Sequence, residues 1–536
     1  MLISQYTPVF TTDTTDHRSV IFDFDSVGVY GEKYDNADTV VSERPGQTAR
    51  LFLRGSGRFW GVETLADIFV SSEFTNDRQD MNRISVDGRY QWLQFSLGDH
   101  YPYYGNFSIS GIRTRGIGVA VSPGHFRLQM NVGQSQTAIE GDSALFRYGM
   151  YRRWLYAGRV GWENEEKFYT HINIIKAKDD QHSISRPFGA TPQENLMGGW
   201  DFGFQLFQKL FFKSEIVFSA HTRDLESTEL QIDEFPGFLK GLFRPFTSSS
   251  FEYSFKEEMR LLFDTWSLAG FFSRVNSGYS SLGTGFLLSD WQEYRLDSKF
   301  SFQNRKINLG FYFGQRNNNL ADDRALTTRQ STAGTTFLIR PNQSLYVNSS
   351  YSILFETNDA TVDSMRRDNI AHTILVQPAI DIFGDVAIHH FDIIASVQSL
   401  KDRNPQSVQV FDFTTLNLGT NYMLSLPSPL TVIAGYNVIL SKTSLEASTR
   451  HLTSGRVMWE MFRSRLSNSL STTYTRAFSD MLYILDNTRW DFVLNTTYRL
   501  TAGENINLDL RQTFYTDKVG KDFKEFIGFL RYTRGL

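Results

Sequence analysis

Glu293-Tyr294-Arg295-Leu296-Asp297-Ser298-Lys299-Phe300-Ser301-Phe302 alternates from end to end. Tyr294, Leu296, Ser298, Phe300 and Phe302 fall on one side. Glu293, Arg295, Asp297, Lys299 and Ser301 fall on the other, continued by Gln303. Successive side chains of a strand point to opposite faces, so the stretch predicts a strand with one largely apolar and one polar face. Past Asn304-Arg305 the alternation resumes: Ile307, Leu309, Phe311 and Phe313 oppose Lys306, Asn308, Tyr312 and Arg316. Together the two halves predict a hairpin with a tight turn at Asn304-Arg305.

The same pattern recurs outward from this hairpin. In 344–355, Leu345, Val347, Tyr351, Ile353 and Phe355 oppose Ser344, Asn348, Ser350 and Ser352. In 489–500, Trp490, Phe492, Leu494, Tyr498 and Leu500 oppose Arg489, Asp491, Asn495, Thr497 and Arg499. From Thr48 to the end, marking every such segment predicts roughly 26 strands of about 9–14 residues, and a tilted strand needs about 9–11 to cross a bilayer. Tight and long connections alternate in the second half: Asn304-Arg305 is short, whereas 317–326 is long and polar.

The totals exclude several other classes. There are no cysteines, which removes disulfide frameworks and thiolate metal sites. A net charge of -4 gives no clustered basic face of the kind a nucleic-acid partner requires. No apolar run is long enough for a membrane helix. Aromatic residues reach 15%, as strands and bilayer interfaces favour. A β-sandwich would use strands of about 5–6 residues and show domain boundaries; a propeller would show a fixed repeat. Neither feature is present. The expected fold is all-β: a transmembrane antiparallel β-barrel of roughly 24–26 strands, since in lipid only helices and closed barrels satisfy every backbone hydrogen bond.

Residues 1–46 are polar and irregular, and read as a periplasmic N-terminal extension before a barrel over 47–536. Met1-Leu2-Ile3-Ser4 has no secretory pattern, so export implies a trimmed signal or a fragment. Alternation breaks longest over 224–247, where Phe235, Phe238, Leu239, Leu242 and Phe243 form an apolar cluster. This cluster is the expected constriction or plug, a loop packed on the rim being an equal alternative. The Gly/Ser-rich stretch from Asn276 to Trp291 reads as a long external or lumenal loop.

Three motifs carry a family resemblance: Leu51-Phe52-Leu53-Arg54-Gly55, Leu97-Gly98-Asp99-His100-Tyr101-Pro102 and Gly111-Ile112-Arg113-Thr114-Arg115-Gly116. The region from Thr48 to about Gln136 resembles a broad class of large bacterial outer-membrane barrels of the porin or transporter kind. It is also loosely similar to fimbrial ushers, although the ushers' cysteine-bearing terminal domain has no counterpart in a cysteine-free chain. The resemblance covers under a fifth of the chain.

The candidate lumen-lining residues are Arg113, Arg115, Arg147, Arg153, Arg295, Asp297, Lys299, Asn308, Arg489 and Asp491. Charges of both signs share these strands, which favours a wall-stiffening Arg–carboxylate ladder over a selectivity ring. His389 and His390 are adjacent and therefore point to opposite faces, unable to share a metal. No His-Glu-x-x-His, Gly-x-Ser-x-Gly or phosphate-loop motif occurs, so no catalytic, cofactor-binding or metal site is expected. The expected function is an outer-membrane conduit for solutes or a polymer. A structural or secretion-associated barrel is the alternative, and a barrel lipase or protease the third reading. Expected partners are outer-membrane lipid and lipopolysaccharide, the barrel-assembly machinery, and a periplasmic or plug protein; nucleic acid is not among them.

Overall fold

A computed structural model describes residues 19–29, 31–33 and most of 47–534, except chiefly 72–78, 231–240, 407–411 and 481–485. Among the described residues the chain forms 27 strands and one single-turn helix, Asp363–Met365. From Gln47–Phe59 to Phe523–Arg534, each strand pairs antiparallel with the one before it in the chain. Alternating polar and apolar side chains on strands of 8 to 16 residues make such a meander two-faced along its whole length.

The meander's two ends are joined by the strand Ser19–Val29. It pairs antiparallel with Phe523–Arg534 on one side and with Gln47–Phe59 on the other. The short strand Gly31–Lys33 continues the same line along Phe523–Arg534, with the register shifted by one residue. Counting those two as one stave, the 27 strands make a ring of 26. A fully antiparallel ring closes only with an even number of staves. The 25 strands from Gln47 onward are odd in number, so the early strand is a topological necessity.

This corrects the reading of 1–46 as an extension before the barrel. Thr11-Thr12-Asp13-Thr14-Thr15-Asp16 sets a polar tone, but Phe22-Asp23-Phe24-Asp25 already alternates. Residues 1–18 lie outside the described residues.

Connections alternate between the two ends of the barrel. One end has short turns such as 207–209, 303–306 and 462–465; the other has the long loops 101–113, 137–151, 223–248 and 276–290. In the turn after Phe302, three consecutive non-glycine residues are left-handed: Gln303, Asn304 and Arg305, with φ of 48°, 53° and 66°. Phe462, Arg463 and Ser464 repeat this at 52°, 57° and 63°. These turns therefore carry no glycine signal for a sequence reading to detect.

The outer face is an apolar belt. Met130, Trp154, Ile172, Phe218, Leu296, Phe313, Ile374, Leu418 and Leu470 are all exposed on it. Aromatic residues bound the belt at both ends, with Trp154 and Trp490 toward the long loops and Trp162 and Trp266 toward the short turns. Eight residues separate Trp154 from Trp162, or roughly 20 Å along the membrane normal at about 3.3 Å per residue and about 40° of tilt. That is close to the band of about 25 Å that a transmembrane barrel presents to lipid. Tyrosine–histidine pairs on the same outer face reinforce both girdles. Tyr351 Oη lies 2.9 Å from His372 Nδ1 and Tyr436 Oη lies 2.7 Å from His451 Nδ1, near the long loops. Tyr422 Oη lies 2.7 Å from His389 Nδ1, near the short turns. Amphipathic rings of this kind settle at the headgroup level.

Closure gives a direct prediction. Deleting 19–33 should abolish the heat-modifiable, compact gel band of the folded barrel, because an odd antiparallel ring leaves two unpaired edges in lipid. Deleting 1–18 should leave the band in place. A normal folded band without 19–33 would disprove the closure.

Candidate functional site

At about 4.8 Å between strands and about 40° of tilt, 26 staves enclose a backbone cylinder roughly 50 Å across. Polar side chains alone do not fill that bore. Two long loops, 101–113 and 276–290, fold inward and pack on one side of it.

The first loop leaves the wall at a hinge of specific chemistry. Gly98 has φ +84°, and a Cβ there would meet the Ile84 carbonyl oxygen at 2.1 Å, so only glycine fits. The Asp99 carboxylate, 3% exposed, accepts the Ile84 N–H at 2.8 Å and two bonds from Arg115 at 2.9 and 3.1 Å. Arg113 adds a contact with the same carboxylate at 3.7 Å. The Gly98-Asp99 and Arg113-Thr114-Arg115 motifs thus clamp the two stems of the inward loop together.

Inside the barrel, Tyr104, Phe107 and Ile109 of the first loop meet Val275, Tyr279 and Leu282 of the second stem and loop. Both sets pack on Leu155, Ala157, Ile175, Ala177, Met197 and Val217, which point inward from four adjacent strands. This is a small dry core within the lumen. Each large side chain fully buried there contributes about 1.5–3 kcal/mol.

Hydrogen bonds fix the loops to one another and to the wall. Tyr279 Oη donates to the Phe107 carbonyl at 2.8 Å, and Ser281 Oγ donates to the Ser108 carbonyl at 2.6 Å. The Ser110 N–H donates to the Gly283 carbonyl at 3.1 Å. On the wall, Glu215 accepts Asn106 Nδ2 at 2.7 Å and the Phe107 N–H at 3.1 Å. A Cβ on Gly105 would meet a Glu215 carboxylate oxygen at 2.4 Å, so the close approach needs glycine there too. Asn195 Oδ1 accepts the Leu282 N–H, and Ser219 donates to the Ser280 carbonyl. Burial pushes the Tyr104 hydroxyl up to about 12, and pushes Tyr279 higher still. Both hydroxyls therefore remain protonated donors.

Toward the short turns, a polar recess of about 560 Å3 opens beside the first loop. Its wall carries a chain of charges. His171 Nδ1 lies 2.7 Å from Asp201 and Nε2 lies 3.0 Å from Glu163; Arg127 bonds Glu163 at 2.7 Å. Arg159 donates to Asn173 at 2.7 Å and to the Tyr104 carbonyl at 2.5 Å, and lies 3.4 Å from Asp201. These groups brace one another and the loop. No group of three His, Cys, Asp or Glu able to hold a metal occurs among the described residues.

The expected site residues divide by face. Arg153, Arg295, Asp297, Lys299, Asn308, Arg489 and Asp491 do point inward. Several are paired: Arg153 with Asp179 at 2.7 Å, Arg295 with Asp297 at 2.8 Å, and Arg489 with Asp491 at 2.6 Å. This pairing is the ladder arrangement. Arg113 and Arg115 share a face as expected, but it is the outer one, in line with exposed Ile117. Arg147 sits in the loop 137–151, its backbone bridged to Asp142. His389 faces out to Tyr422, whereas His390 faces in, 2.6 Å from Asp381 and 3.6 Å from Asp392.

Of the five residues of the expected constriction at 224–247, the two that are described, Leu242 and Phe243, lie outside the lumen. Phe235, Phe238 and Leu239 lie outside the described residues. Leu242 and Phe243 pack against the outer side of the wall: Lys176, on the outward face beyond Ile174, donates to the Leu242 carbonyl at 2.6 Å. Phe243 is 1% exposed and meets outward-facing Phe251 edge-on at 5.8 Å. Leu242 also borders an outer cleft of about 820 Å3 together with Met130, Trp154, Tyr156 and Ile174. The apolar residues at this end of the segment are satisfied by the apolar exterior of the barrel.

The loop 276–290, external or lumenal by its sequence, lies in the lumen, and a sequence signal for both inward loops exists in the wall they cover. The strands from Arg152 to Thr222 carry apolar residues on both faces, as a wall covered on both sides does.

No family model matches the chain, and no curated protein does. Several solved structures are similar to it. OccAB3 of Acinetobacter baumannii shares 10% identity over 69% of this chain and 98% of that one, with a TM-score of 0.32. OpdK of Pseudomonas aeruginosa, solved with vanillate, shares 8% over 65% and 94%, with a TM-score of 0.33. The P pilus usher PapC translocation pore shares 9% over 96% and 99%, with a TM-score of 0.26. Scores this low carry no argument, and the barrel rests on its own strand register.

Glu215→Ala should free the first loop from the wall. Losing two hydrogen bonds to a charged acceptor should cost about 1.5–3 kcal/mol for each bond. Amide hydrogen exchange in 104–109 should accelerate while the wall strands stay protected. Unchanged exchange there would show that Glu215 is not the anchor.

Proposed function

We propose that the chain is an outer-membrane conduit that passes small solutes, its bore narrowed by the two inward loops. The observation that carries this reading is the asymmetric filling of the lumen. Loops 101–113 and 276–290 are bonded to the wall between Phe126 and Thr222 and form a dry core there. Among the described residues, neither of these loops is bonded to the far side of a bore roughly 50 Å across. A barrel of this size left open would leak, and one filled throughout would conduct nothing; partial filling suits a sieve.

Long loops at one end and short turns at the other suit a barrel inserted from the inner side of a bacterial outer membrane, with the long loops outside. The lumen's charges are used largely in pairs that brace the wall, which fits passage better than catalysis.

Planar-bilayer recording in potassium chloride tests the reading. The full chain should give steady, modest steps. Replacing 278–288 with a short Gly-Ser linker should raise the step severalfold, because it removes one half of the inner core. Silence from both proteins would overturn the conduit, and equal steps would overturn the role of the loop.

A further inference from the structure

The charges of the lumen are unevenly spread along its wall. On the strands that carry the inward loops and those next to them, inward positions include Arg159, Asp201, Glu215, Lys256, Glu258 and Arg295. The sector from Thr328 to Thr443 is different. Strand register and the exposed outer residues Phe313, Tyr351, Ile374, Ile393, Leu418 and Tyr436 fix which side chains of the next six strands face inward. Over 330–338, 348–354, 371–377, 394–400, 415–419 and 437–441, no inward-facing residue is charged; Glu356 faces inward toward the long loops, and Asp381, His390 and Asp392 face inward toward the short turns, His390 lying 2.6 and 3.6 Å from the two carboxylates. Hydroxyls and carboxamides dominate over those ranges, among them Thr336, Ser350, Gln377, Gln398, Asn417 and Asn437.

The anchoring contacts of both loops described above are to wall strands between Phe126 and Thr222. The loops therefore occupy the side of the bore between Phe126 and Thr222, and none of their contacts described above reaches the neutral band.

We infer that the permeation path runs along this neutral band, and that its solutes are uncharged polyhydroxylated molecules such as short oligosaccharides. The inference rests on the conduit reading. A wall of hydroxyls and amides both donates and accepts hydrogen bonds, and so replaces the water around a sugar's hydroxyls one for one. It offers an ion no counter-charge for the hydration lost near the wall. Of the inward charges nearest this band, His390 lies 2.6 Å from Asp381 and 3.6 Å from Asp392, Arg456 donates to Ser469 at 2.8 Å and Arg316 stacks on Trp291; those of the wall that holds the loops lie across the bore, beyond a Debye length of about 10 Å in 0.1 M salt.

The test is swelling of proteoliposomes holding the full-length protein, with maltotriose against maltotrionate, the same chain oxidised to a carboxylate at its reducing end. Maltotriose should enter faster; the anion entering as fast or faster would overturn the inference. Reversal potentials in a salt gradient locate the path. Ser350→Glu with Gln398→Glu should turn the channel cation-selective, whereas Lys299→Ser on the charged wall should leave its ion preference unchanged. The opposite outcome would place the path along the charged wall. Potassium chloride conductance without maltotriose entry would overturn this inference and leave the conduit standing, while absence of both would overturn the two together.

Discussion

Everything in this structure depends on the need to pair backbone amides and carbonyls in a medium without water. An open sheet in hydrocarbon leaves two edges of unsatisfied groups, each costing several kcal/mol. The 25-strand meander from Gln47 to Arg534 cannot close on itself antiparallel, because its first and last strands run in the same direction. Ser19–Val29 removes both edges at once by pairing with each of them. The two faces of the wall then follow from the period of two along every strand, apolar to lipid and polar to the lumen.

Size creates the second problem. A ring of 26 staves is too wide for side chains to fill. The chain fills part of it with its own loops, and to hold them it departs locally from the two-faced pattern. Leu155, Ile175, Met197 and Val217 point inward because there they meet Tyr104, Phe107 and Tyr279 instead of water. Glycines at 98 and 105 permit the close approaches; Asp99 satisfies the Ile84 N–H of the wall beside the hinge, and Glu215 the Phe107 N–H that the buried loop would leave unpaired. The result is a lumen packed on the side between Phe126 and Thr222.

The strand pattern was legible because alternation is a local property: the hairpin from Trp291 to Asn318 lies as its residues predict. The early strand was hidden by the polar residues around it, and only the parity of the whole ring demands it. The inward loops were hidden for a different reason. Tyr104 and Tyr279 meet only in three dimensions, and three of the six large apolar residues of 101–112 are tyrosines, which suit a bilayer girdle as readily as a core. The apolar cluster of 232–243 reads as a plug, yet its end at Leu242 and Phe243 covers the outside of the wall. Arg113 and Arg115 show a similar limit: their shared face is readable, but whether that face is inner or outer depends on the register with Ile117 and its neighbours.

The most direct measurement of whether two distant loops meet inside the barrel is a crosslink. Ser110 and Thr284 face one another in a single parallel bridge, and the cysteine-free chain makes a clean background. In the Ser110→Cys, Thr284→Cys protein, mild oxidation in the membrane should form an intramolecular disulfide in nearly every folded molecule, visible as a gel shift reversed by reductant. Two thiols that stay free and react fully with a bulky maleimide would contradict the filled lumen.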